Sequence, residues 1–267
     1  MKVLFATLFA AALTFGASSS RAEEMVRVAT EGAYPPFNFV DADGKLGGFD
    51  VDIANALCEA AELKCSLVAQ DWDGIIPGLL AEKYDAIVAS MTITPERAKV
   101  VAFSNKYAKV PQHFVMSDSL AGAVDAAPGQ GIDQLKSALN GKVVGLVAAT
   151  VAERYVRDTF GSTVTYRSYQ KMEDALQDLV AGRIDTYADG AIPIMEGFLK
   201  KEAGKGFRFA GVALSDPKYF GPGNGIAVRQ ADTELLAKLN AALAKIRSNG
   251  TYAKINSKYF DFDVYGD

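Results

Sequence analysis

With 267 residues, 49% hydrophobic side chains and a formal net charge of −4, the chain can build one large core or two modest ones. It offers no basic field for nucleic acid. Two cysteines and one histidine are too few soft ligands for a structural metal site, and no cofactor motif is present.

The chain opens on Lys2, an apolar run from Val3 to Ala17, and Ser20-Arg21-Ala22. This pattern predicts a signal peptide cleaved after Ala22, because the run is shorter than a bilayer span. The mature chain of about 245 residues is then exported and soluble. Val26 to Thr30 reads as a strand, followed by the turn-rich Gly32-Ala33-Tyr34-Pro35-Pro36-Phe37. Asp41 to Lys45 reads as a hairpin turn, and its spacing does not fit a calcium loop. Asp50 is the expected cap of a helix that buries Ile53, Ala54, Leu57 and Cys58. In an oxidising compartment Cys58 and Cys65 most simply close one small loop, two buried thiols being the alternative.

Leu67 to Ala69 is the next predicted strand, Asp73 to Ala81 a helix, and Tyr84 to Ser90 a buried strand. Ser117 to Gly131, rich in Ala, Gly, Asp and Ser, reads as a surface loop near a boundary. The pattern then restarts with strands at Lys142–Val147, Thr163–Arg167 and Asp185–Ala188. Helices are expected at Thr150–Phe160 and Lys171–Ala181. Helices at Thr233–Ser248 and Thr251–Tyr259 close the chain. Alternating strands and helices indicate mostly parallel α/β sheets, either as two lobes or as one doubly wound domain.

Ligands of open α/β sheets sit beyond the carboxyl ends of the strands. The strand ending at Ser90 leads into Ser90-Met91-Thr92-Ile93-Thr94-Pro95-Glu96-Arg97. Thr94 and Pro95 suit the start of a helix, so Arg97 falls in its first turn, where a cation opposes the helix dipole. A bound carboxylate would resolve that conflict, with Ser90 and Thr92 as added donors. An exposed arginine paired with a nearby acid is the plain alternative. Thr150 opens a second helix and offers a similar anion site, or serves only as a cap. Tyr34, Phe37 and Trp72 stand in loops after strands as candidate ligand walls or rim packing. Glu31 could meet a ligand cation or remain a solvated acid. Signatures of serine hydrolases, zinc peptidases and phosphate loops are missing from the sequence.

These residues carry a resemblance. From Val26 onward the chain resembles the amino-acid-type periplasmic solute-binding proteins of ABC importers, the lysine/arginine/ornithine- and histidine-binding group. It does so through Tyr34-Pro35-Pro36-Phe37, Gly47 to Ile53, Trp72 to Pro77, Ser90 to Arg97, Ala181 to Asp185 and Tyr259-Phe260-Asp261. The resemblance implies a two-lobed periplasmic binding protein fold with mostly parallel sheets. Lobe 1 comprises 23–110 and 212–267, and lobe 2 comprises 111–211. The crossings fall near Ala108–Gln112 and Phe209–Val212, and Cys58 pairs with Cys65. It also implies that Arg97, Ser90 and Thr92 hold the ligand carboxylate with Thr150, Val147 and Val151. Tyr34 and Trp72 sandwich the ligand.

The departures are specific. The aspartate that binds the ligand ammonium in such proteins aligns with Gly190, and Asp189 lies one residue early. Val151 and Ala152 replace polar residues, and Glu31 stands for an aspartate. The linker Ser117–Leu139 is longer. Glu31, Trp72, the Ala89-Ser90-Met91-Thr92 loop and Gly190 look more like the octopine and nopaline binders, since a small residue at 190 would admit a bulky secondary amine. The resemblance therefore implies a periplasmic monomer that hands an opine, or an ordinary basic amino acid, to an ABC permease. Two alternatives are a cleft enzyme of the cyclohexadienyl dehydratase type and a sensor acting on a separate receptor.

Overall fold

The computed structural model describes residues 25–266. The predicted signal peptide and its cleavage after Ala22 lie outside the described residues. Among those described, no helix is long and apolar enough to cross a membrane.

The alternating run Val-Arg-Val-Ala-Thr forms β1 (Val26–Thr30), whose last three residues are buried. A small antiparallel sheet follows, built from β2 (Ala33–Tyr34), β3 (Asn38–Val40) and β4 (Leu46–Gly47). Next come α1 (Phe49–Ala60), β5 (Cys65–Ala69), a 3₁₀ turn at Trp72–Gly74, α2 (Ile75–Leu80), β6 (Ala86–Ile87) and β7 (Val101–Ala108). The second half holds β8 (Gln112–Ser117), α3 (Asp118–Ala126), α4 (Gly131–Ala138), β9 (Val143–Val147), α5 (Val151–Phe160) and β10 (Thr165–Tyr169). It continues with α6 (Met172–Val180), β11 (Thr186–Gly190), α7 (Ala191–Ile194) and β12 (Phe207–Leu214). The chain finishes with α8 (Pro217–Phe220), β13 (Asn224–Arg229), α9 (Thr233–Ser248) and α10 (Thr251–Tyr259).

Two five-stranded sheets result, ordered β5-β1-β6-β13-β7 and β10-β9-β11-β8-β12. In each, four strands run the same way and one runs against them, β13 in the first sheet and β8 in the second. The parallel part is the alternating βα pattern of the sequence. The reversed strand of each sheet is the one that follows a crossing, β8 after the first and β13 after the return. Apolar clusters sit in each lobe, one around Phe49, Ile53 and Leu57 and another around Phe114, Leu146 and Phe160.

Four local expectations change. Asp50 does not cap α1, which starts at Phe49 after Gly48 without a side-chain cap. The Asp50 carboxylate instead turns inward and accepts from Asn38 Nδ2 at 2.8 Å, Tyr107 Oη at 2.7 Å and Ser90 Oγ at 3.0 Å. The Thr94-Pro95 start yields only a 3₁₀ turn at Arg97–Lys99, because β7 begins at Val101 and leaves no length for a helix. Ser117–Gly131 is not a loop: Ser117 Oγ accepts from Leu120 N–H and caps α3, which buries Ala121 and Val124.

Finally, Phe209–Val212 is not the return crossing. These residues lie inside β12, which pairs with β8 in the second sheet. The return comes after α8, at Gly221–Gly223, so 212–220 stay with the second lobe. Gly221 has φ +50°, and a β-carbon there would overlap the Ile93 carbonyl, which fixes glycine at the close approach of the crossing to the Ile93 backbone.

Cys58 and Cys65 form a disulfide across a sequence separation of 7, ruling out the two-thiol alternative. Closing so short a loop removes about 2.5 kcal/mol of unfolded-chain entropy. Replacing both cysteines with serine is expected to lower stability by about that amount in a urea titration.

Candidate functional site

A small cavity lies between the lobes, lined by residues of both. Glu31, Tyr34, Trp72, Ala89, Ser90, Thr92 and Arg97 line it from the first lobe, and Val147, Thr150, Val151 and Asp189 from the second. Three sequence-predicted residues do not line it, the first being Phe37, which is fully buried in the first lobe's core beside Phe49. Met91 points into the core with Ile87 and Leu79. Gly190 sits behind the wall, where an added β-carbon would collide with the Tyr34 hydroxyl and with Val110. The space at residue 190 is therefore filled by Tyr34 and is not open to a ligand amine.

Val110, Gln112, Met172 and Asn224 also line the cavity and were not legible from sequence. Val110 and Gln112 stand at the first crossing, whose approximate position the sequence did suggest. Asn224 belongs to the glycine-rich Gly221–Gly225 segment, which reads only as a turn. Its Nδ2 donates to the Ser90 carbonyl, and Thr92 bridges to it across the backbone.

One end of the cavity is cationic. Arg97 donates from Nη1 to the Thr92 carbonyl at 3.0 Å and from Nη2 across the cleft to the Ala149 carbonyl at 3.2 Å. Its guanidinium carbon stands 5.2 Å from the Trp72 ring centroid, a cation–π arrangement. Burial lowers its pKa to about 10, so it stays charged at neutral pH. No carboxylate pairs with it among the described residues, leaving donors of its five-donor fork available. Thr150 caps α5: its Oγ accepts from Glu153 N–H at 3.1 Å and donates to the Val147 carbonyl at 2.8 Å. The first N–H groups of α5 thus open beside Arg97's cross-cleft contact, as an anion site requires. Ser90 serves differently than expected. Its hydroxyl is committed to Asp50, and its backbone holds a left-handed φ of +48°. Ala149, at φ +61°, carries the carbonyl that Arg97 reaches. Each lobe thus holds one residue with left-handed backbone at the cleft, as strain tends to gather at ligand sites.

The other part of the cavity is acidic. Asp189 is buried at the end of β11 and accepts from Tyr34 Oη at 3.0 Å, from Gly190 N–H at 2.7 Å, and from Tyr187 Oη. Burial raises its pKa despite those donors. Glu31 follows β1 and makes no hydrogen bond or ion pair among the described residues. Burial, then the nearby charge of Asp189, raises its pKa to about 8. Arg97 is not among the principal charges acting on either acid, so the cationic and acidic parts are separate subsites of one cavity. Tyr34 and Trp72, both from the first lobe, pack against the second lobe's apolar cluster. Trp72 lends its face to Arg97 as well as to the cavity.

Comparisons with known proteins find relatives over nearly the whole chain. The chain is 46% identical over 246 residues to the L-arginine-binding protein of Pseudomonas aeruginosa, covering 92% of this chain and 91% of that one. It is 39% identical over 266 residues to the lysine/arginine/ornithine-binding periplasmic protein of Escherichia coli K12, covering 99% and 98%. Among solved structures, a Salmonella typhimurium periplasmic binding protein described for its high arginine specificity superposes with a TM-score of 0.77. Its identity is 33%, over 88% of this chain and 99% of that one. Residues 26–262 match a single family description, and the chain belongs to the bacterial extracellular solute-binding proteins, family 3.

Proposed function

We propose that this chain is the periplasmic ligand-capturing component of an ABC importer and that its ligand is a basic amino acid of the arginine type. The observation that carries this is the charge layout of the cavity, an unpaired arginine beside a helix start in one part and two acids in another. A ligand with a carboxylate, an α-ammonium and a cationic side chain complements all three. Arg97 and the first N–H groups of α5 take the carboxylate, Asp189 takes the ammonium, and Glu31 takes the side-chain cation. Tyr34 and Trp72 cover its aliphatic part. The names of the relatives, which refer to arginine, lysine and ornithine, support this ligand class. The opine alternative loses its steric ground, because Tyr34 occupies the space at Gly190. Tyr34 to Asp189, Arg97 to Ala149, and Glu96 to Arg154 at 3.5 Å all tie one lobe to the other. Lobe closure is therefore the motion by which ligand is enclosed.

The test is calorimetry on ligand-stripped protein with arginine, lysine, ornithine, histidine, glutamine, octopine and nopaline. Arginine or lysine at ~100 times its dissociation constant is expected to add roughly 2.7 kcal/mol of stability. Binding of octopine or nopaline with no response to arginine or lysine would reverse the ligand assignment.

Glu31 gives this reading a pH signature. Its raised pKa of about 8 means that it is largely protonated at pH 7, whereas a bound cation favours the carboxylate. Binding of arginine therefore releases a proton, and affinity rises as pH increases from about 6 to 8. Calorimetry at pH 7 in buffers of different ionisation enthalpy measures the proton directly. In Glu31→Gln the proton release is expected to vanish; release that persists would assign it elsewhere.

A half-buried carboxyl without a partner among the described residues, titrating near neutrality, also suits proton transfer, which keeps cleft catalysis as a second reading. NMR of arginine and lysine incubated with the protein is expected to show them unchanged.

A further inference from the structure

Gln112 opens β8 directly after the crossing at Lys109–Pro111 and is only 5% exposed. It lines the cavity, and the β-ladder pairs it with Gly190, the neighbour of Asp189. Its Nε2 reaches the Val110 carbonyl at 3.4 Å, a long contact. Its Oε1 is buried with no hydrogen-bond partner at all. Buried side-chain carbonyls are almost always paired, and one left unpaired carries a desolvation cost. Five side-chain atoms share this condition among the described residues, and only those of Gln112 and Trp72 belong to cavity-lining residues. The Trp72 atom is a donor, so Gln112 supplies the unsatisfied acceptor.

We propose that Gln112 is a specificity-determining contact whose side-chain carbonyl accepts a hydrogen bond from a nitrogen of the bound amino acid. The assignment rests on the amino-acid-binding reading above. An acceptor at this position favours ligands rich in N–H groups. It discriminates against ligands that present oxygen there, because a buried group left unpaired or opposed disfavours the wrong ligand strongly. Its place at the crossing adds a second effect. The residue that meets the ligand is also the first residue of the strand that enters the second lobe, so ligand contact and lobe position share one piece of backbone.

The experiment compares wild type, Gln112→Met and Gln112→Glu with L-arginine, L-lysine and L-ornithine by calorimetry, and measures ligand-free Tm for each. Methionine keeps the length and removes the acceptor. It is expected to leave the ligand-free Tm unchanged or higher, because an unpaired buried carbonyl is lost. Affinity for the basic amino acids is expected to fall about tenfold or more. Glutamate restores an acceptor and is expected to bind more tightly than methionine does. Wild-type affinity in Gln112→Met overturns the proposal. A joint loss of ligand-free Tm and affinity in that variant, with no recovery in Gln112→Glu, also overturns it by making the residue structural. Failure of wild type to bind any of the three removes the amino-acid reading and this contact with it. Binding by wild type and Gln112→Met alike removes this contact alone.

Discussion

Arg97→Leu is expected to reduce affinity for L-arginine by about 100-fold or more, with the two lobes still folded. Arg97 is the cation of the proposed carboxylate subsite, and among the described residues its side chain hydrogen-bonds only backbone carbonyls, those of Thr92 and Ala149. Removing one partner of a buried charge-assisted pair typically costs 2–5 kcal/mol in binding, which spans that range. Arg97→Lys keeps the charge but loses the planar fork that grips a carboxylate on two prongs. It should fall between wild type and Arg97→Leu. Calorimetry on the three proteins decides the matter. Leucine binding within tenfold of wild type would move the carboxylate subsite away from Arg97 and leave the start of α5 as its only holder.

The second large effect belongs to a residue that does not touch the cavity. Asp50→Ala is expected to destabilise the protein by about 3–5 kcal/mol, because it strands donors that meet only this carboxylate in a buried site. Asn38, Tyr107 and Ser90 all donate to it. Burial pushes its pKa up to about 6 even with those donors, so the network holds a carboxylate that the interior alone would reject. The same change should weaken arginine binding, since Ser90 depends on Asp50 and the neighbouring Thr92 receives Arg97. Urea titration reads the first effect and calorimetry the second. A loss below about 1 kcal/mol would mean that water reaches the stranded donors.

Much of the framework was legible because burial and capping act locally. The strands from Val26 and Lys142, the capped helix after Thr150 and the two final helices announce themselves through periodicity and end residues. The gathering of Glu31, Tyr34, Trp72, Arg97, Thr150 and Asp189 followed from the rule that strand ends carry ligands, together with the family resemblance. What could not be read depends on tertiary packing. Nothing local says that Asp50 turns inward, since an acid at the start of a helix looks like a cap. Nothing local says that Ser117 caps a helix in an alanine- and glycine-rich stretch, because the burial of Ala121 and Val124 decides it. Gly190 looked like room for a ligand. Only the position of Tyr34, more than 150 residues earlier in the chain, shows the space to be taken. Gln112 and Asn224 were missed because their role comes from where the crossings enter the cleft.

The late arrival of β13 imposes an order of assembly. Strand β13 lies between β6 and β7, and Ala227 faces Ile87 on one side and Phe103 on the other. The second lobe's sheet is contiguous from Gln112 to Leu214, so its contacts close over shorter stretches of chain. The first lobe must wait for a strand that follows the whole of the second. Long-range pairing of this kind is slow, and until it occurs the inner edges of β6 and β7 remain open to strangers. Pulse-labelling hydrogen exchange during refolding should therefore protect β9 and β11 before β6. A chain cut before Asn224 should aggregate rather than fold as a smaller binder.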